Sequence, residues 1–170
     1  MISKKLQDAI NVQINKELYS EYLYISMQAW FANQNLDGFA NWMDAQGKEE
    51  RFHAMKFFNY VLERGGKVEL QAIAQPAIDF GSPLKAFTAS LAHEQFVTKS
   101  INDLMDLAIK EKDHATRGFL QWFVDEQVEE EAAADKIVHR LKLIGDNPHA
   151  LYMLDNELGQ RVFTAPTPAV

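Results

Sequence analysis

The chain has 170 residues, 47% of them hydrophobic, with no cysteine and a net charge of −7. That length suffices for one domain with a substantial core. The absence of cysteine excludes disulfides, iron–sulfur clusters and cysteine-based zinc sites, and the acidic balance argues against nucleic acid and suits cations.

Helix-type periodicity runs through most of the sequence. The first helix is expected over residues 3–32, with Ser3 as its N-cap, and a short turn at Asn33–Asn35 follows. A second helix is expected over 36–64, stopped by Gly65-Gly66. Gly47 inside it costs about 1 kcal/mol relative to alanine, for which close helix packing is the expected reason. Residues 67–81, with Pro76, read as a connection long enough to cross the bundle, since a ~29-residue helix spans about 44 Å. Ser82-Pro83 opens a third helix over 82–112. Asp113 caps a fourth over 113–144, and Asn147-Pro148 opens a short fifth over 148–159. The fifth is too short to stand alone and must dock on something. A single domain over 1–164 and a loose tail over 165–170 are expected. No apolar signal-peptide core occupies Met1–Ile10 and no apolar run approaches ~20 residues, so a cytoplasmic protein without a membrane span is expected.

Polar residues sit in the middle of apolar stripes. Stepping by seven, Ile10, Glu17, Tyr24 and Phe31 share a face, as do Met43, Glu50 and Phe57, with Gln46, His53 and Tyr60 beside them. Phe87, Glu94, Ile101 and Ala108 make a third stripe. Leu120, Gln127 and Ala134 make a fourth, flanked by Phe123, Glu130 and Ile137. The set also repeats: Glu17, Glu50 and His53 are followed 77 positions later by Glu94, Gln127 and Glu130, and Glu49 is echoed by Glu126. A duplicated helix pair with facing polar residues is the simplest source of that offset.

Four converging carboxylates are expensive. At ~5 Å and an effective dielectric near 20, each pair costs roughly 3 kcal/mol, before desolvation. A domain stable by about 5–15 kcal/mol cannot carry that unaided. Either protons or cations relieve it. His53, three residues after Glu50 on the same face, favours metal, and an oxygen-rich set with one imidazole suits iron or manganese better than structural zinc.

The segments NKELYSEYLY (15–24), GFANWMDAQGKEERFHAMKFFNY (38–60), SPLKAF with HEQF (82–96) and FLQWFVDEQVEEE (119–131) resemble the non-haem bacterial and archaeal ferritins over nearly the whole chain. The fold so implied is all-α, a ferritin-like antiparallel four-helix bundle with a long crossover between the second and third helices and a short fifth helix. The resemblance implies iron storage and a ferroxidase, oxidising Fe2+ to Fe3+ with O2 or H2O2 and depositing ferric mineral in a hollow 24-mer whose fifth helices line fourfold axes. It implies an intrasubunit di-iron centre of Glu17, Glu50, His53, Glu94, Gln127 and Glu130, with Tyr24 beside it. A third iron site is implied at Glu49, Glu126 and Glu129, sharing Glu130. Glu50 and Glu130 are the expected bridges, Glu17 and His53 holding one iron, Glu94 and Gln127 the other. Glu131 is expected to face solvent. Haem is not expected, because Arg51 follows Glu50 where bacterioferritins carry methionine, and the last motif is Gln127-Val128-Glu129-Glu130 rather than a second ExxH. Two rival readings stay open: a di-iron oxidase acting on an organic substrate, and a structural bundle binding Zn2+ or nothing.

Overall fold

The computed structural model describes residues 1–165. Five helices follow one another: α1 (Lys4–Asn33), α2 (Asp37–Glu63), α3 (Pro83–Lys110), α4 (His114–Ile144) and α5 (Pro148–Leu158). The expected tail, apart from Ala165, lies outside the described residues. The helix starts follow local chemistry. Ser3, Ser82, Asp113 and Asn147 each accept a hydrogen bond from a first-turn amide. At the end of α2, Gly65 takes the left-handed conformation (φ 68°) that most side chains avoid.

α1 packs chiefly along α2, and α3 along α4. The crossover is held by side chains of α1. Asn11 donates to the Lys67 carbonyl and accepts from Glu69 N; Asn15 donates to the Gln71 and Ala72 carbonyls; Ser26 donates to that of Ala77. Buried Asn11 is thereby satisfied on both sides of its amide.

α5 docks on α2, and the two cap each other. α2 has no cap of its own at Leu36. Asp155, from α5, accepts from Phe39 N at 3.0 Å and places an acidic group at the positive end of α2. In return Asn41 Nδ2 donates to the Leu158, Gly159 and Arg161 carbonyls. Gly38 makes the approach possible: a Cβ there would lie 1.6 Å from the Asp155 carbonyl oxygen. Gly47 differs. A Cβ would meet α1 only at ordinary contact, 3.7 Å from Tyr24 Cβ and the Glu21 carbonyl, so packing does not demand glycine there.

Every residue of the four polar-centred stripes is buried. One apolar cluster, around Met27, Phe31, Phe39 and Phe87, fills the bundle at the α5 end. A second, around Ile10, Phe57, Ile101, Leu120 and Phe123, fills the other. The polar layer lies between them.

Candidate metal centre

Each of the four long helices delivers its polar residues to this layer from the middle of an apolar stripe. Glu17, Glu50 and Glu94 are 1% exposed and Glu130 5%. His53 is buried as well, its ring edge-on to Trp122 and Phe123. Donor atoms of Glu17, Glu50 and His53 lie within 4.8 Å of one another, and so do those of His53, Glu126 and Glu130. His53 Nδ1 stands 3.6 Å from Glu50 Oε2. Glu94 stands outside both groups. Its carboxylate accepts from the Tyr24 hydroxyl, which also pairs with Ser90 Oγ at 3.0 Å. Gln127 turns its amide nitrogen, not its oxygen, toward Glu94, donating to the carbonyl (3.3 Å), the carboxylate (3.5 Å) and Thr98 Oγ1. In this arrangement it holds Glu94 rather than offering a ligand atom.

Burial raises all four carboxyl groups above the ordinary glutamate range. Glu94 and Glu130 are pushed up to about 8, by desolvation first and then by the charges of Glu50 and Glu94 respectively. Glu50 is driven well up by burial and by Glu17 and Glu130. Glu17 is raised by burial, against the pull of His53 and a hydrogen bond from Gln13. The Tyr24 phenol is held well above its usual range by burial and the Glu94 charge, so it keeps its proton and remains a donor. Among the described residues, four buried side-chain atoms have no protein partner: Glu17 Oε2, Glu130 Oε1, His53 Nε2 and Gln46 Oε1. Buried polar atoms normally have partners. A set of carboxylate oxygens and an imidazole nitrogen, orphaned together, is the donor set of a cation.

The residues expected at the third site are less enclosed. Glu126 is half-buried and raised by burial, with His53 pulling it down and Glu49 and Glu129 pushing it up, so the three acids feel one another. Glu49 is half-buried and bound by Arg161 at 2.6 Å; Glu129 is exposed. Glu131 departs from expectation. It is half-buried and accepts from Thr98 Oγ1, because α3 passes close enough to reach it.

Two residues with no expected site role reach the centre, Gln46 from one of the stripes and Gln13 from outside them. Gln13 Nε2 donates to Glu17 Oε1 at 2.8 Å. Gln46 Nε2 donates to Glu50 Oε1 at 3.2 Å and Glu130 Oε2 at 2.7 Å, tying the two expected bridges together. A signal was present: QINKE and QGKEE place a glutamine one helical turn before each glutamate, separated by the same 33 residues as the glutamates. His93, with no role expected, packs against Tyr19 and Tyr24 and pairs with Ser20 Oγ at 2.7 Å. Burial lowers it to about 4, so it is neutral.

Known proteins share this architecture. The Ferritin-like domain family matches residues 7–144. A bacterial non-heme ferritin of Staphylococcus aureus (strain MRSA252) is 45% identical over 163 residues, covering 96% of this chain and 98% of that protein. One of Staphylococcus saprophyticus is 44% identical over the same length. Among solved structures, an Archaeoglobus fulgidus ferritin engineered into a closed form superposes with a TM-score of 0.96 at 52% identity, covering 96% of this chain and all of that one. The open-pore ferritin of the same archaeon gives 0.95 at 52% identity over 95% of this chain. With its helices, its buried acid layer and these relatives in agreement, the chain belongs to the ferritin family.

Proposed function

We propose that this ferritin takes Fe2+ as substrate, oxidises it at the buried centre and stores the ferric product inside a hollow shell of its own copies. Iron storage and ferroxidase activity accompany membership of the family. The residue roles, two irons per centre with a third outside, the 24-mer, the oxidant (O2 or H2O2) and a cytoplasmic setting are our reading. No helix among the described residues is long and apolar enough to cross a membrane. The carrying observation is the group of orphaned oxygens and one imidazole nitrogen buried among four glutamates.

In this reading Glu17 and His53 hold one Fe2+, and Glu94 holds the other. Glu50 and Glu130 bridge, tied by the Gln46 amide. Gln127 and Tyr24 hold Glu94 by hydrogen bonds, acting through the ligand. Four carboxylates neutralise two divalent ions, so filling the centre expels the protons that burial has placed on the acids. Each Fe2+ then gives one electron: two Fe2+, one O2 and two protons yield two Fe3+ and one H2O2. The apolar clusters on either side keep bulk water from the ligands. Glu126, Glu49 and Glu129 provide an outer stop for iron on its way in or out.

Stopped-flow mixing with O2 after anaerobic Fe2+ loading tests the reading, with particle size measured in the same buffer. A fast phase saturating near two Fe2+ per chain, in a particle of about half a megadalton, is expected. Tight binding with slow oxidation, or a small oligomer, would transfer the centre to an oxidase with an organic substrate.

A further inference from the structure

Glu17 Oε1 takes its hydrogen bond from a chain of donors that starts at the edge of the bundle. Lys16 Nζ donates to Ser100 Oγ on α3. Ser100 Oγ donates to Gln13 Oε1 at 2.6 Å, and Gln13 Nε2 donates to Glu17 Oε1 at 2.8 Å. Gln13 and Ser100 are buried; Lys16 is half-buried, its ammonium 5.2 Å from the centre of the Phe96 ring.

The direction of this chain is set from the lysine end, and from the Glu17 end once metal has ionised it. An ammonium can only donate, so the Ser100 hydroxyl accepts from Lys16 and sends its own proton on. The Gln13 carbonyl receives that proton, which turns the amide NH2 toward Glu17. An ionised carboxylate can only accept. The amide is thus held at both ends, unlike Gln46, whose Oε1 has no protein partner. The Glu17 carboxylate is pinned through one oxygen, and its other oxygen, Oε2, is left without a protein partner.

We propose that Gln13, oriented by Ser100 and Lys16, is the positioning residue for Glu17, fixing Oε1 so that Oε2 is presented to Fe2+. This rests on the reading of Glu17 as an iron ligand. The relay crosses from α1 to α3 and back, so it ties the ligand to the register between the two helices. Gln13 is the amide that donates to Glu17; in the metal-free centre a protonated Glu50 also hydrogen-bonds it, a bond lost once Glu50 ionises.

Anaerobic Co2+ titration of the assembled protein, followed by calorimetry and by d–d absorption, tests this on Gln13→Met, Ser100→Ala and the pair, beside Fe2+-dependent oxidation rates. Gln13→Met is expected to weaken one of two Co2+ binding events by about 10–100-fold and to alter its d–d band. The Fe2+ concentration for half-maximal rate rises, while the saturated rate stays near wild type. Ser100→Ala weakens the same event less, and adds nothing on the Gln13→Met background because it acts through the amide. Unchanged Co2+ affinity in Gln13→Met, or an additive Ser100→Ala effect, overturns the proposal. Should Gln13→Met fail to fold, Ser100→Ala decides alone: unchanged affinity there refutes the relay. A wild type that does not bind two Co2+, or a Glu17→Ala protein that still binds two at wild-type affinity, refutes Glu17 as a ligand instead, a separate failure.

Discussion

Glu49 and Glu50 are neighbours in sequence and end in opposite electrostatic circumstances. A step of one residue turns a helical side chain by about a quarter of a turn. Glu50 enters the bundle, 1% exposed, and meets Glu17, Glu130 and His53. Glu49 stays at the rim, where Arg161 pairs with it. Both lie in acid clusters, so acid number does not separate the centre from the outer patch. Burial does. Water and an arginine discharge the outer acids cheaply, whereas the inner ones have amide and phenol donors, one imidazole and no fixed cation in contact. On the proposed reading, the inner set holds dications and the outer set passes them.

The largest expected contrast is kinetic. Glu130→Ala removes an expected bridge and a buried donor at once, and fast oxidation should fall by about 100-fold or more, beyond the usual cost of disturbing a ligand's support. Glu126→Ala should leave oxidation of the first two Fe2+ per chain fast and slow only later additions. Stopped-flow absorbance with successive Fe2+ aliquots reads both. Equal losses in the two variants would erase the distinction between inner and outer sites.

The next contrast is in stability. Glu17, Glu50, Glu94 and Glu130 have folded-state values above the unfolded one, two of them about 8, mainly through burial. Between about pH 4.5 and pH 8 the folded metal-free centre holds more protons than the unfolded chain, so stability falls as pH rises across that window. The groups facing these acids are His53, Tyr24 and the amides of Gln13, Gln46 and Gln127; the one fixed cation acting on Glu17, Lys16, lowers it by less than burial raises it. The melting temperature of metal-free protein should drop between pH 5.5 and pH 8, and Glu94→Gln with Glu130→Gln should flatten the slope. Anaerobic Fe2+ at about 100 times its Kd should restore roughly 2.7 kcal/mol per site, or about 5–10 °C at pH 8. A metal-free protein as stable at pH 8 as at pH 5.5 would show that the inner acids carry no such penalty.

What sequence could reveal of these two regions follows from the range of each interaction. The stripes through Glu17, Glu50, Glu94 and Glu130 were legible because helical periodicity is local, and the observed helices lie within two residues of the expected ones. The caps at Ser3, Ser82, Asp113 and Asn147 were legible for the same reason. Gln13 and Gln46 left a local mark, the repeated QxxxE, but a glutamine one turn from a glutamate is common on solvated faces. Ser100 and Lys16 left none, since their meeting depends on the register of α1 against α3. Asp155 capping α2 joins residues 116 apart and required the docking of α5. Gly47 was misjudged in the other direction: a glycine suggested tight packing, and the space beside it admits a methyl group.

Arg161 gives the smallest and most selective test of the comparison. It donates to Glu49 and to the Trp42 carbonyl, its guanidinium lying 4.3 Å from the centre of the Trp42 ring. An outer cation that recruits Glu49 must displace this arginine. The pair is about a quarter exposed on each side (24% and 22%), so its contribution is that of a partly screened ion pair, roughly 1 kcal/mol. Arg161→Gln should therefore strengthen binding of a third Co2+ by up to about five-fold, and leave both the first two binding events and the fast oxidation phase unchanged. Calorimetry on protein already loaded with two Co2+ per chain isolates that event. If Arg161→Gln instead alters the first two, charge at the rim reaches the buried ligands, and the separation drawn from Glu49 and Glu50 fails where the two residues are closest.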